Sequence, residues 1–333
     1  MTLKNIQILL AQRPIGEPKL SDFKIVETDL TDLVQGQILV RNHFLSLDPY
    51  MRGRMNNIKS YSAPMKLGEV MVGMTVGVVI TSQHPDFQPN DMVTGNFGWQ
   101  LYGISDGTNV QKIIEKDLPA SLYLGTLGMP GVTGYVGLLD ICQPNAGETV
   151  VVTAASGAVG GVVGQIAKLK GCRVVGIAGG PEKCRYVMDE LGMDACVDYK
   201  ANNLLSDLKT ACPEGIDVCF ENVGGPIFDT ILLEINPFAR IALCGLISQY
   251  NATQLYGIKN MGKIVVNRAR MQGFVVSDHI NRWPQAINDL SQWLREDRIK
   301  YRESVVDGLE NAPEAFIDLL KGKNFGKQLI RLI

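Results

Sequence analysis

The chain changes texture near residue 125. Before that point apolar and polar residues alternate over short stretches, at 37–47, 73–82 and 91–96, with Pro and Gly between them, which predicts strands joined by turns. After it, short apolar runs alternate with helical stretches. The runs at 148–153, 173–178, 195–199, 217–221, 240–244 and 272–276 predict six buried strands of a doubly wound parallel sheet with helices on both faces. Near the end of that region Trp283, Ile287, Leu290 and Leu294 recur at spacings of four, three and four, so 282–299 should be an amphipathic helix. The tail returns to a mixed pattern, with a helix expected at 313–320 and a strand at 328–333. The expected division is a β-rich domain of residues 1–124 and 300–333 and an α/β domain of residues 125–299.

Composition narrows the picture without changing it. A chain of 333 residues is long for one core, which agrees with two domains. The 32 basic and 34 acidic residues leave a net charge of −2, so no electrostatic footprint for nucleic acid or an anionic membrane is present. Seven cysteines without a C-x-x-C pair indicate neither a disulfide framework nor a zinc finger, and reduced, cytoplasmic thiols are expected. Residues 1–14 lack the apolar core of a signal peptide, so export is not expected. The stretch 149–167 is uncharged and about long enough to span a bilayer, but its four glycines and a change of pattern midway argue for a strand followed by a helix.

That stretch holds the strongest chemical signal. Ala154-Ala-Ser-Gly-Ala-Val-Gly160 follows an apolar strand and opens a helix, with Ala155, Gly157 and Gly160 in the three small places of a dinucleotide fingerprint. Small residues are needed there because backbone must approach a pyrophosphate, which the helix N-terminus then favours electrostatically. The next strand ends Ala178-Gly179-Gly180-Pro181-Glu182-Lys183. An acid that would bind a ribose 2′-OH is missing from the strand end, Glu182 suits the first turn of a helix, and Lys183 can reach a 2′-phosphate with Arg185 as a helper. NADP(H) is the expected cofactor.

Seven stretches together resemble a known family: Leu45-Ser-Leu-Asp-Pro-Tyr-Met-Arg52, Gly128-Met-Pro-Gly-Val-Thr-Gly-Tyr135, Ala154–Gly160, Glu221-Asn-Val-Gly-Gly225, Cys244-Gly-Leu-Ile-Ser-Gln-Tyr250, Gly273-Phe-Val-Val276 and Gly322-Lys-Asn-Phe-Gly-Lys327. The chain is similar over nearly its whole length to the zinc-independent medium-chain dehydrogenases/reductases of the leukotriene B4 12-hydroxydehydrogenase and prostaglandin reductase branch. The resemblance implies an α/β protein with a GroES-like β-rich catalytic domain, a Rossmann cofactor domain and a homodimeric state. It also implies a cofactor site made of Thr133, Gly157, Ala158, Val159, Gly160, Gly179, Lys183, Tyr199, Asn222, Cys244, Gly245, Leu246, Ile247, Ser248, Tyr250, Phe274, Val275, Val276 and Asn324. Within that set Lys183 and Tyr199 face the 2′-phosphate, and Thr133 lies near the nicotinamide.

The implied reaction is hydride delivery to the β-carbon of an α,β-unsaturated ketone or aldehyde. The family's zinc-dependent relatives need Cys and His in the first domain, whereas the first cysteine here is Cys142 and the histidines His43, His84 and His279 are scattered, so no metal is expected. An enolate oxygen must then be stabilised by other donors. By resemblance Tyr50 and Tyr61 line the substrate site and Tyr256 resembles a third tyrosine there; the enolate is expected to be held by Tyr256 or by the nicotinamide ribose 2′-OH, with the α-carbon protonated by solvent or a tyrosine. Two alternatives stay open: a quinone oxidoreductase using the same cofactor, and a non-catalytic NADPH-binding protein.

Overall fold

The computed structural model describes residues 3–115 and 117–333. The chain forms two compact units, Met1–Gly125 with Glu303–Ile333 and Thr126–Arg302. In chain order the first unit begins with β1 (Lys4–Leu10), β2 (Phe23–Asp29), β3 (Ile38–Ser46), α1 (Tyr50–Arg54), β4 (Thr75–Ser82), β5 (Met92–Gly95), β6 (Tyr102–Ser105) and β7 (Gln111–Lys112). The second unit holds α2 (Met129–Val136), β8 (Thr149–Thr153), α3 (Gly160–Leu169), β9 (Arg173–Ala178), α4 (Pro181–Asp189), β10 (Ala195–Asp198), α5 (Leu204–Ala211), β11 (Ile216–Glu221), α6 (Gly225–Ile231), β12 (Ile235–Leu243), α7 (Gly262–Val266), β13 (Arg270–Gly273) and α8 (Trp283–Arg295). The chain then returns to the first unit with β14 (Glu303–Asp307), α9 (Ala312–Leu320) and β15 (Lys327–Arg331).

In the first unit β14, β15, β3, β4, β5 and β7 lie side by side in that order, β6 also pairs with β3, and β1 and β2 form a hairpin-like pair of their own. The tail reaches the sheet because β15 runs antiparallel to β3, with Leu329 opposite Ser46. Beneath α1 lies an apolar core in which Trp99 stacks on Phe23 at 5.6 Å and meets Phe316 of α9 edge-on. Such ring pairs add to the free energy of burial itself.

The second unit is a six-stranded parallel sheet in the order β10-β9-β8-β11-β12-β13. The chain runs outward from β8 through β9 to β10 and then crosses back to β11 on the other side of β8, so the strand order reverses between β8 and β11, and a crevice opens at their carboxyl ends. Val150, Val151, Val152 and Phe220 are fully buried, as strands covered on both faces require. The uncharged stretch 149–167 becomes β8, a turn and most of α3. Among the described residues no helix is long and apolar enough to cross a membrane.

Three elements of the second unit depart most from the periodicity. The last strand lies at Arg270–Gly273 rather than 272–276, and three of its four residues are exposed, because it is the sheet's edge and needs no apolar run. Strand β12 starts at Ile235, five residues earlier than expected. Helix α8 stops at Arg295 and not at 299, since Asp297 turns the chain with φ 52°.

Candidate active site

The turn after β8 shows what each small residue does. Ala154 takes φ 51°, and the Gly157 N–H donates to its carbonyl at 2.9 Å. Ala155 is fully buried, and a Cβ on Gly176 of β9 would lie 2.8 Å from its methyl group, so these two residues let turn and strand meet. A Cβ on Gly160 would lie 2.4 Å from the Ala154 carbonyl oxygen, which no side chain tolerates. Gly157 differs, because the only atom near its absent Cβ is that same oxygen at 3.1 Å. Its outer side is open to an incoming group. With Ala158 and Val159 it leads into α3, whose N-terminal amides and macrodipole suit an anion.

At the end of β9 a second pole forms. A Cβ on Gly179 would collide with the Tyr199 ring at 2.8 Å, so glycine is what lets Tyr199 lie across the strand end. Asp198 Oδ1 accepts the N–H groups of Gly180 and Lys200 at 2.8 and 2.9 Å, fixing the turn into α4. Glu182 occupies the first turn of α4, where an acid complements the helix dipole. Lys183 is half-buried, and its pKa is lowered by burial and by the charge of Lys200, with Glu182 opposing. Two cations held near each other in this way suit a doubly charged phosphate. Lys200, whose Nζ lies 6.0 Å from the Tyr199 ring centroid, escaped the sequence reading; its place directly after Tyr199 at the end of β10 was the available signal.

The other wall is built on Glu221, a fully buried carboxyl at the end of β11. Its Oε1 accepts the N–H groups of Val223 and Gly224 at 2.5 and 2.6 Å and the Thr153 hydroxyl at 3.2 Å. Burial nevertheless pushes its pKa up to about 7. Thr153 also takes the Asn222 side chain, Nδ2 donating to its carbonyl at 2.8 Å, and thereby ties the ends of β8 and β11 together. The segment after β12 stacks on this turn: the N–H groups of Cys244 and Gly245 donate to Glu221 O, Ile247 to Asn222 O and Ser248 to Val223 O. The Tyr250 hydroxyl lies 3.4 Å from the Leu246 N–H. Burial lifts the Cys244 thiol to about 12, so it is no thiolate at neutral pH.

Other expected residues lie outside this turn. Phe274 packs edge-on against Phe220 at 6.2 Å, and Gly137 is open enough to admit both rings. Val275 and Val276 lead into a short helical turn, with Val276 buried. The Thr133 hydroxyl donates to the Met129 carbonyl of its own helix at 2.7 Å, which leaves its lone pairs available. Asn324 lies in the first unit, where Nδ2 donates to Gly326 O.

The tyrosines divide. Tyr50 opens α1 in the first unit, and burial, with Asp48 adding to it, holds its pKa well above the usual tyrosine range. Asp48 itself accepts from the Ser46 hydroxyl and forms a buried ion pair with Lys327 at 2.7 Å, so the start of α1 is anchored to β15. Tyr61 is 65% exposed and close enough to Tyr50 to affect its ionisation. Tyr256 lies in the second unit with its hydroxyl donating to Asp229 at 2.8 Å. Burial raises the Asp229 pKa, but the N–H groups of Asn260 and Lys259 together with Tyr256 outweigh it and keep the carboxylate charged. The one hydroxyl proton of Tyr256 is thus engaged, which leaves an acceptor where the sequence reading expected a donor.

Two family descriptions match the chain: "N-terminal domain of oxidoreductase" over residues 6–113 and "Zinc-binding dehydrogenase" over residues 158–292. The NADPH-dependent curcumin reductase of Escherichia coli is 51% identical over 99% of this chain and 97% of its own. The chain belongs to the medium-chain dehydrogenase/reductase superfamily. Its branch is the one that holds the curcumin, alkenal and prostaglandin reductases. The 2-alkenal reductase (NADP(+)-dependent) of Nicotiana tabacum is 42% identical over 98% of this chain and 97% of its own. CurA from Vibrio vulnificus, solved in complex with NADPH, superposes with a TM-score of 0.95 at 50% identity, covering 98% of this chain and 99% of that one. As in any medium-chain dehydrogenase/reductase, an N-terminal β domain accompanies a six-stranded parallel cofactor sheet. Among the described residues, no three or more His, Cys, Asp or Glu side chains gather in a way that could hold a metal.

Proposed function

We propose that this chain uses NADPH to reduce the carbon–carbon double bond of α,β-unsaturated ketones and aldehydes. The observation that carries the reading is the joint presence, in one crevice, of an open glycine turn at Gly157 and a lysine pair beside Tyr199, in a chain half identical to an NADPH-dependent curcumin reductase. The first pole fits a pyrophosphate and the second a 2′-phosphate. Asn222 and the segment from Cys244 to Tyr250 take the rest of the dinucleotide, with Thr133, Phe274, Val275 and Val276 completing the second unit's part of the site.

When bound, NADPH supplies a hydride to the β-carbon of the double bond. Charge then moves onto the carbonyl oxygen as an enolate. Tyr50 is the donor best suited to hold it: a sheltered hydroxyl with a raised pKa stays protonated and donates where charge develops. Tyr61 assists from the exposed side, and Tyr256, engaged by Asp229, shapes the site and does not donate. A proton from solvent completes the reduction at the α-carbon.

A second copy of the chain is the expected partner. The outer edge of strand β13 is unpaired, and Val265 and Val266, shortly before it in sequence, and Phe238, whose N–H donates to Asn267 O, are 78%, 66% and 64% exposed, which a homodimer would cover. Light scattering should return twice 36.4 kDa.

An anaerobic assay that follows NADPH absorbance with 3-nonen-2-one tests the reaction. Enone turnover supports the proposal, turnover of quinones alone supports a quinone oxidoreductase, and binding without oxidation supports a non-catalytic role.

A further inference from the structure

Where tyrosine hydroxyls of the second unit meet carboxylates, the carboxylate takes the proton. Tyr135 donates to Asp289 Oδ2 at 2.7 Å, and Tyr256 donates to Asp229 Oδ2 at 2.8 Å while the N–H groups of Lys259 and Asn260 fall on the other oxygen. A phenol bound in this way has no proton left for a second acceptor. Tyr50 meets the same hazard, since it follows Asp48 by two residues at the start of α1, and after burial the Asp48 charge is the largest influence raising its pKa. The difference lies in Asp48, which has a donor on each oxygen: the Lys327 ammonium on Oδ1 at 2.7 Å and the Ser46 hydroxyl on Oδ2.

Both donors are fixed by the sheet that β15 joins. Leu329 lies opposite Ser46 in the antiparallel ladder, the Leu47 N–H donates to Gln328 O at 3.2 Å, and Lys327 Nζ donates to Leu47 O at 2.8 Å as well as to Asp48. Ser46, Asp48 and Lys327 are all buried, so water does not compete for these groups, and an ammonium holds a carboxylate against a neutral hydroxyl. Glu303, opposite Lys327 in the parallel ladder of β14 and β15, is the other carboxylate that Lys327 faces, and its Oε2 accepts the Ser121 hydroxyl at 3.0 Å. Stability alone does not account for the Asp48 pair. Burying two charges is costly, replacing both by neutral groups is often harmless, and removing one strands the other.

We propose that Lys327 is a positioning residue for the reduction: by holding Asp48, together with Ser46, it keeps the Tyr50 hydroxyl free to donate to the enolate oxygen. Lys327 touches neither substrate nor cofactor in this role and acts only through what it denies to Asp48. This rests on the enone-reductase reading with Tyr50 as donor, and a measurement made without substrate separates the two.

Steady-state kinetics on the full chain with NADPH and 3-nonen-2-one compare Lys327→Met, Tyr50→Phe, the two together, and Lys327→Met with Asp48→Asn. Tyr50→Phe should lower kcat roughly a hundredfold and Lys327→Met about tenfold or more, each with kcat/KM falling by the same factor and the KM for NADPH held within about twofold. Lys327→Met should add nothing to the loss in Tyr50→Phe, since both act on one hydroxyl, and Asp48→Asn should bring Lys327→Met back to within about threefold of wild type by removing the charge that captures the proton. Losses that multiply in the Tyr50→Phe background, no recovery with Asp48→Asn, or full turnover in Lys327→Met overturn the proposal. Should Lys327→Met fail to fold, Ser46→Ala gives the same test, because it opens Oδ2 while the ion pair stays: kcat should fall about threefold or more in the wild type and not at all in Tyr50→Phe, and an equal fall in both overturns the proposal. The NMR resonance of the Tyr50 Cζ, assigned through Tyr50→Phe and read without substrate, should shift in Lys327→Met and return with Asp48→Asn; an unmoved resonance also overturns it. That shift, in an enzyme whose wild type consumes no NADPH with the enone, would sink the reaction and leave the hold on Asp48 standing.

Discussion

The crevice of the second unit and the α1 face of the first are built by different means. In the crevice, backbone does the recognising: glycines open the path at Gly157, carbonyls and amides lock Glu221 to the segment after β12, and little is left unpaired. On α1 side chains give the face its character, Tyr50 with its raised pKa and Arg54, whose buried Nε has no hydrogen-bond partner. A site shaped by backbone accepts one ligand and is intolerant of change. One shaped by side chains can be retuned by single substitutions.

The sharpest break is Gly160→Val. With a Cβ 2.4 Å from the Ala154 oxygen, the turn must move, and overpacking of this kind costs about 1–3 kcal/mol before any effect on ligand is counted. NADPH affinity should fall at least a hundredfold in a fluorescence titration, whereas substitutions on α1 should leave it within threefold. Next in size is Lys183→Ala, which should raise the Michaelis constant for NADPH by roughly ten- to a hundredfold, the range of a charge-assisted contact. The constant for NADH should barely change, and equal effects on both would show that the lysine does not read the phosphate.

Glu221 sharpens the comparison through pH. Its folded pKa is raised from 4.5 to about 7, so below pH 4.5 the carboxyl is protonated in both states and carries no penalty. As pH rises through that window the unfolded chain ionises first, and stability is lost until the folded carboxyl ionises too, above about 7. Glu221→Gln lacks this loss, so its stability relative to wild type should improve by about 2 kcal/mol between pH 5 and pH 8 in denaturant melts. A difference that stays flat would mean that the carboxyl ionises normally. The smallest expected effect is that of Tyr256→Phe: with its hydroxyl committed to Asp229, turnover should stay within threefold while stability drops by about 1 kcal/mol. A tenfold loss in kcat would restore Tyr256 to the chemistry.

The same contrast explains what was legible beforehand. The strands of the second unit stand out because burial on both faces forces unbroken apolar runs, Gly160 stands out because only a small residue allows the turn, and Gly157 because a ligand's approach needs the open side it leaves. Strand β13 was misplaced because an edge has no such constraint. Lys200 and Glu221 were not singled out because their roles depend on which strand ends meet, a matter of sheet order and not of local spacing. Helix α1 is too short to show a period, so the shared face of Tyr50 and Arg54 appears only in three dimensions. The Asp229 contact of Tyr256 joins residues 27 apart in sequence and left no local trace.

The most direct test of the central claim follows the label from NADPH deuterated at C4, in the transferable position, into 3-nonen-2-one. Mass spectrometry and NMR should find the saturated ketone with one deuterium at the β-carbon. Deuterium at the carbonyl carbon of an allylic alcohol, or a ketone recovered without label, would contradict it.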